Sequence, residues 1–388
     1  MKKRPLRVKL LALLLAVLSA FFVAEVAVRI LRPGDVGQLQ DGGTDDIKKG
    51  IRLRPAVKVF DGVPHRINQA GFHDDEEVPA KPAGEKRVLF IGDSFMYGAK
   101  LHVAETLPGR CETRLQAALG PSIRTIDLAC PGWGTYHHLL AFREHQRTDV
   151  PSPPVQPDVV VLCFFVGNDI AETLQADRPD EGDAHSVVVL AKDGELVLEK
   201  RATRPHMKVL RLSKLFRLWE TTELYKSIAR GKSREETRES TLVEDAYWKI
   251  ERFRMEHWRK GVSAKPLLAE AWTLVAKNLR ALVAEVRAAG ARPAIVLIPD
   301  EVQVDARKRA EVCRRFQVDE KDFELDEPQR RVAALAAELS VPCVDTLPAF
   351  REKGAQGGLY FDLDTHWNAK GHDLASELVA PVLETLLK

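Results

Sequence analysis

The sequence predicts an α/β protein: a three-layer α/β/α, doubly wound parallel sheet of about five strands, flavodoxin-like in arrangement. Two patterns carry this expectation. Short apolar, β-branched runs recur from Arg87 onward, and longer amphipathic stretches lie between them. The runs are "RVLFI" at 87, "IRTIDLAC" at 123, "DVVVLCFF" at 158, "PAIVLI" at 293 and "VPCVD" at 341. They are continuous rather than alternating, as expected of strands covered on both faces. Among the helical stretches, "AETLPGRCETRLQAALG" ends on Gly120, and glycine is the usual residue just past a helix end. In "LLAEAWTLVAKNLRALVAEVRAAG", Leu268, Trp272, Val275, Leu279, Leu282 and Val286 fall on one stripe, and the pattern stops at Gly290. A last helix follows Trp367. Strand, helix and strand repeated in this way require right-handed crossovers and give one sheet.

The interval between the third and fourth runs is too long for one crossover, so residues 171–264 are expected to be a mostly helical insertion. Between Lys200 and Lys232 it holds ten Lys or Arg against two acids, Glu220 and Glu223. That tract reads as a solvated helical cap, although anionic lipid or an acidic polymer would also suit it. Residues 33–84, rich in Gly, Asp and Pro, are expected to be a stalk with irregular structure. The main domain is expected over 85–388.

At 388 residues, 45% hydrophobic and 29% charged, the chain has an ordinary globular composition. Its net charge of +2 gives no reason to expect a nucleic-acid partner. Five cysteines, at 111, 130, 163, 313 and 343, show no Cys-x-x-Cys or Cys/His spacing, so neither metal nor other cofactor is expected. Cys130, Cys163 and Cys343 sit in apolar runs and read as small buried hydrophobes.

The N-terminus is an address. "MKKRPLRVK" carries five Lys or Arg and no acid, and Leu10 to Ala24 holds no charge. Those fifteen residues suit the core of a cleavable signal, but a Glu25–Arg29 pair four apart lets the helix run on to Leu31 and span a bilayer. Leu18 spoils a small-x-small cleavage site ending at Ala20. Residues 1–32 are therefore expected to be an uncleaved signal-anchor, with the rest extracytoplasmic, periplasmic or at the cell surface.

Ligands of doubly wound sheets bind beyond the carboxyl ends of the strands, which directs attention to four segments. After the first run comes Gly92-Asp93-Ser94, which offers a hydroxyl nucleophile or a plain helix-capping serine. The second is followed by "DLACPGWGTYHH", whose glycines let a backbone N–H approach a developing oxyanion. In "FFVGNDI", after the third, the Asn168 amide can donate to the same oxyanion or cap a helix. Before the final helix stands "YFDLDTHWNAKGH", where His366 can serve as base and Asp364 as the acid that fixes its tautomer. On an extended segment two residues apart, their side chains point the same way. His137, His138 and His372 read as solvated or packed side chains. Trp133 and Trp367 read as structural aromatics that could instead wall a sugar or acyl site.

Together "FIGDSF", "LACPGWGT", "FFVGNDI" and "DLDTHWNAKGH" resemble the four motif blocks of the SGNH hydrolase superfamily, also called GDSL esterases and lipases. The resemblance covers residues 87–170 and 290–388, but not the insertion. It implies Ser94 as nucleophile, with its own N–H in an oxyanion hole completed by Gly132 and Asn168, and His366 as base. Asp127 stands where relatives usually have Asn. Many relatives carry the acid three residues before the histidine, and here that position is Leu363. Asp364 is preferred, with Asp362 as the alternative. "DTHW" is also similar to the motif of SGNH-like alginate O-acetyltransferases, but there the Asp-x-His precedes the serine.

The expected protein is thus a membrane-anchored serine esterase acting on an ester, with a short acyl group on an envelope carbohydrate as the leading substrate. The alternatives are an O-acyltransferase acting on a cell-surface polysaccharide and a glycan-binding module that has lost catalysis.

Overall fold

The structure is a computed structural model and describes residues 16, 19–27, 53, 55–60, 62–148, 154–176, 184–191, 194–202, 244–354 and 357–388. The chain divides into two compact units, one of residues 1–41, 181–184 and 202–236, the other of residues 42–180, 185–201 and 237–388. The second holds the main sheet.

Its strands are β1 (Ala56–Phe60), β2 (Val63–Ile67), β3 (Lys86–Gly92), β4 (Ile123–Ala129), β5 (Val159–Phe165), β8 (Arg292–Ile298) and β9 (Cys343–Asp345), with β6 (Ala184–Leu190) and β7 (Leu196–Ala202) pairing as a separate ribbon. Five of them form one parallel sheet in the order β4-β3-β5-β8-β9. The predicted α/β sheet is therefore present, and each apolar run supplies one of its strands. Val88 to Ile91, Val159 to Phe165 and Ala294 to Ile298 are all buried, which is why those runs carry no alternation. Numbered along the chain, the order is 2-1-3-4-5, and it reverses between β3 and β5.

Register brings the carboxyl ends close together: β3 and β4 end at the Gly92–Ala129 pair, β5 and β8 at the Phe165–Ile298 pair, and with Ile91 opposite Leu162 the second pair runs two residues beyond the first. The segments after β3, β4, β5 and β8 consequently leave the sheet along one rim. The helices are α1 (Ser94–Tyr97), α2 (Leu107–Leu119), α3 (Thr135–His145), α4 (Asp169–Ala176), α5 (Glu244–Glu256), α6 (Pro266–Ala288), α7 (Glu301–Val304), α8 (Ala306–Phe316), α9 (Glu327–Glu338), α10 (Leu347–Gly354) and α11 (Ala369–Leu387). Two groups cover the sheet, α2 with α11 and α3 with α4 and α6. All six stripe residues of α6, Leu268 to Val286, are buried.

Two segments differ from expectation. Residues 33–84 were expected to be irregular, yet β1 and β2 form an antiparallel hairpin. A buried polar stack ties the residues after it to the sheet. His73 donates its backbone N–H to the Asp127 carbonyl at 3.0 Å, His73 Nδ1 lies 3.1 Å from Asp127 Oδ2, and His65 Nδ1 lies 2.9 Å from His73 Nε2. The rings of His65, His73 and Tyr97 stack. Burial holds both imidazoles down at about 4, so they are neutral and pack as flat polar aromatics. Residues 171–264 were expected to be mostly helical, and within them β6 and β7 pair as strands while α5 is a helix. Most of the basic tract, residues 203–243, lies outside the described residues.

The expected signal-anchor also lies largely outside them. Of residues 1–32, positions 16 and 19–27 are described and helical. Among the described residues no helix is long and apolar enough to cross a membrane.

Candidate active site

Ser94 is the first residue of α1, not its cap. Asp93 is the N-cap, and its Oδ1 accepts the Phe95 N–H at 3.0 Å. The aspartate thus does the capping that a serine would otherwise do, and the Ser94 hydroxyl is left for other work. Phe95, Met96 and Tyr97 are buried behind it, which fixes the helix against the sheet.

His366 reaches this hydroxyl from the far end of the chain. The Phe361 N–H donates to the His366 carbonyl at 2.9 Å and the Asn368 N–H to the Leu359 carbonyl at 3.0 Å, closing a tight loop over 361–366. Asn368 then caps α11, its Oδ1 accepting from Lys370 and Gly371, while its amide donates to the Gly358 and Tyr360 carbonyls. Held in this way, His366 Nε2 lies 2.9 Å from Ser94 Oγ, and Nδ1 lies 2.6 Å from Asp364 Oδ1. A hydrogen-bonded line therefore runs from hydroxyl to imidazole to carboxylate.

The two side chains do not converge by the route expected. The segment is a turn rather than an extended strand, and Leu363 and Thr365 on either side of Asp364 have φ of 49° and 72°. Left-handed backbone is uncommon for any side chain and rarer still for a β-branched one. It folds Asp364 back, so that its backbone carbonyl also lies 3.0 Å from His366 Nδ1. Asp362, the alternative acid, is on the surface with its Oδ1 3.6 Å from Lys308.

The remaining predicted donors lie on the same rim. Gly132 has φ of 82°, a conformation glycine adopts freely, and it sits in the exposed turn after β4. Asn168, after β5, is half-buried and donates through Nδ2 to Glu172 Oε1 at 2.9 Å. Glu172, on α4, also faces the other donor turn: a Cβ on Gly132 would stand 3.9 Å from its Oε1. Burial, aided by Asp93, pushes the Glu172 carboxyl up to about 8.

His366 leaves about a third of its side chain open to solvent, yet desolvation holds its imidazole well below the ordinary histidine range. Arg254 and Lys100 push in the same direction, whereas Asp93 and Asp300 oppose them. A base that stays neutral into mildly acidic solution results. Burial likewise pushes the Asp93 carboxyl up.

Several side chains around the site were not anticipated. Lys100 forms an ion pair with Asp364 Oδ2. Arg254, from α5 in the insertion, lies 3.2 Å from Asp300 Oδ2 and 3.3 Å from Glu251 Oε1, with its guanidinium 4.9 Å from the Phe165 ring centre. Trp258 donates to the Val166 carbonyl at 3.4 Å. The insertion therefore buttresses the turn that carries Asn168. No local sequence pattern signals these contacts.

The weaker candidates are structural. His138 and Trp133 are buried, and His137, half-buried, accepts the Gly134 N–H at 3.2 Å. Neither histidine is solvated as expected. His372 is buried with Nδ1 accepting the Leu107 N–H at 3.0 Å, and Trp367 packs against Phe350 and Phe95. Asp127 is buried in β4 against His73.

Comparison with known proteins finds a family match. Residues 90–374 match the model of the GDSL-like lipase/acylhydrolase family. Among solved structures, a member of the lipolytic protein G-D-S-L family from Veillonella parvula is 13% identical, with 76% of this chain and 97% of that chain covered and a TM-score of 0.38. A catalytic mutant of Axe2, an acetylxylan esterase from Geobacillus stearothermophilus, is 14% identical over 78% of this chain and 95% of its own, also with a TM-score of 0.38. No curated protein matches.

Proposed function

This chain belongs to the GDSL-like lipase/acylhydrolase family, and from that membership we propose that it is a serine esterase working through Ser94, His366 and Asp364. The observation that carries the reading is the unbroken hydrogen-bonded line from Ser94 Oγ through His366 to Asp364 Oδ1, at the rim where the strand order reverses.

In this mechanism Ser94 Oγ attacks the ester carbonyl carbon while His366 Nε2 takes the hydroxyl proton. Asp364 accepts the hydrogen bond from Nδ1–H, fixing the tautomer and favouring the imidazolium as it forms. The N–H groups of Ser94 and Gly132 and the Asn168 amide hold the oxyanion. The C–O bond to the leaving alcohol breaks and the alcohol departs with the proton from Nε2, leaving Ser94 acylated. Water, deprotonated by the same nitrogen, then attacks the acyl carbon, and the serine leaves with its proton restored.

The substrate proposed is a short acyl ester on an envelope carbohydrate. Its support is the basic, then uncharged, N-terminal address, which suits export and a membrane anchor. A fluorophosphonate probe tests the chemistry. Wild-type protein is expected to carry one adduct, on Ser94, and Ser94→Ala none. Turnover of an aryl acetate by Ser94→Ala is expected to fall by about six orders of magnitude. Full activity in that variant would end the proposal. Comparing C2 with C8 esters tests the acyl length, and release of acetate against transfer to an added glycan separates hydrolysis from acyl transfer.

A further inference from the structure

We infer that Lys100 is a positioning residue of this site, clamping the second oxygen of the Asp364 carboxylate and so holding the first toward His366. The inference rests on the serine-esterase reading and adds a fourth member to its hydrogen-bonded line.

The two oxygens of Asp364 are divided between partners. Oδ1 faces His366 Nδ1 at 2.6 Å, and Oδ2 is paired with Lys100 Nζ. A carboxylate tied at one oxygen can rotate about its Cβ–Cγ bond, whereas one tied at both keeps Oδ1 in the plane of the ring it orients. The pair is also well shielded, with 15% of the Lys100 side chain and 9% of the Asp364 side chain exposed. Charges with so little water around them act on their neighbours more strongly than a surface pair does.

The backbone on both sides is bent to make the contact. Lys100 follows the nucleophile's short helix and has φ of 76°, left-handed backbone rarely occupied by a residue with a long side chain. Its partner lies between Leu363 and Thr365, which are left-handed as well. Strained backbone of this sort persists where the surrounding contacts demand it. A further contact comes from the histidine loop itself, since Lys100 Nζ sits 5.1 Å from the centre of the Phe361 ring. Lys100 thus links the segment carrying Ser94 to the loop carrying His366, across 264 positions of sequence.

The charge has a sign that can be measured. His366 is faced by Asp364 from its own loop, Asp93 from the end of β3, Asp300 from beyond β8, Arg254 from α5, His372 from α11 and Lys100. Asp93 and Asp300 favour the imidazolium, while Arg254 and Lys100 disfavour it. Arg254 keeps its own partners, Asp300 and Glu251, whatever stands at position 100. Removing the Lys100 charge therefore raises the pH at which His366 protonates and the base is lost.

The test is the pH dependence of Ser94 phosphonylation by a fluorophosphonate in full-length protein, in which Oγ bonds to phosphorus as fluoride leaves and which needs no knowledge of the natural substrate. Lys100→Met and Lys100→Gln are expected to move the acid midpoint of the labelling rate upward by about one pH unit. Lys100→Arg, which keeps the charge, is expected to leave it near the wild-type value. Circular dichroism and thermal unfolding check that each variant is folded. A purely structural lysine would lower the melting temperature or the plateau rate in the neutral variants while leaving the midpoint in place, and that result would overturn the inference. So would an equal shift in Lys100→Arg. Failure of the wild-type protein to label at Ser94 would instead overturn the esterase reading beneath it.

Discussion

Glu172 shows how far the meaning of a side chain depends on its surroundings. It lies beside Asn168 and the Gly132 turn, where the proposed mechanism holds the oxyanion, and a negative charge there would oppose that mechanism. With its carboxyl raised to about 8, it holds its proton at neutral pH and ionises only in alkaline solution. Turnover is therefore expected to decline as pH rises through about 8, and Glu172→Gln is expected to remove that decline, read from kcat against pH. Ser94, Asp364, His366, Gly132 and Asn168 were all legible in the sequence because each has an apt chemistry just beyond a strand or before a capped helix. Glu172 and Lys100 were not, since a glutamate four residues into a helix and a lysine in a loop look the same on any surface. Only the fold brings Lys100 to Asp364. Even the legible Asp364–His366 pair meets through left-handed backbone rather than through the alternation of a strand.

At the scale of elements, legibility followed burial. The five strands of the main sheet were readable because a strand covered on both faces must be apolar throughout. β9 is shorter than its run, Cys343–Asp345 against residues 341–345, because pairing at the sheet edge with β8 starts only at Ile295↔Cys343. The hairpin of β1 and β2 escaped notice because "AVKVF" and "VPHRI" mix charge and proline into short runs. The insertion was expected only as a mostly helical segment within the main domain, and nothing in its pattern signals that α5 sends Arg254 into a buried cluster with Asp300 and Glu251. Burial raises the Glu251 carboxyl, and the Arg254 guanidinium, buried between Glu251 and Asp300, is the partner that both acids share. Arg254→Met removes one partner of this buried set and is expected to cost roughly 3 to 5 kcal/mol. Urea unfolding would show it as a lower midpoint with an unchanged slope.

For the main sheet, the register does most of the organising, because carboxyl ends within two residues of one another deliver three separate turns to one rim. The class of sheet was readable from the order of runs and helices; the reversal between β3 and β5 becomes visible only once the strands are paired. The thiols are part of the same packing. None of the five cysteines is in a disulfide among the described residues, and burial pushes the Cys111, Cys163 and Cys343 thiols up. Iodoacetamide at pH 8 is expected to spare Cys111, Cys130 and Cys163 in native protein and to modify them in denaturant, while reductant leaves the melting temperature unchanged. Mass spectrometry with and without denaturant reads the first expectation and a thermal scan the second.

The loop over 361–366 closes onto α1 from a point near the other end of the polypeptide. A ribosome making this chain releases Ser94 long before the histidine proposed to activate it exists. Until Asp364 and His366 have been synthesised and α11 has docked on α2, the alcohol is only an alcohol, and a half-made molecule threading through a crowded compartment attacks nothing on its way.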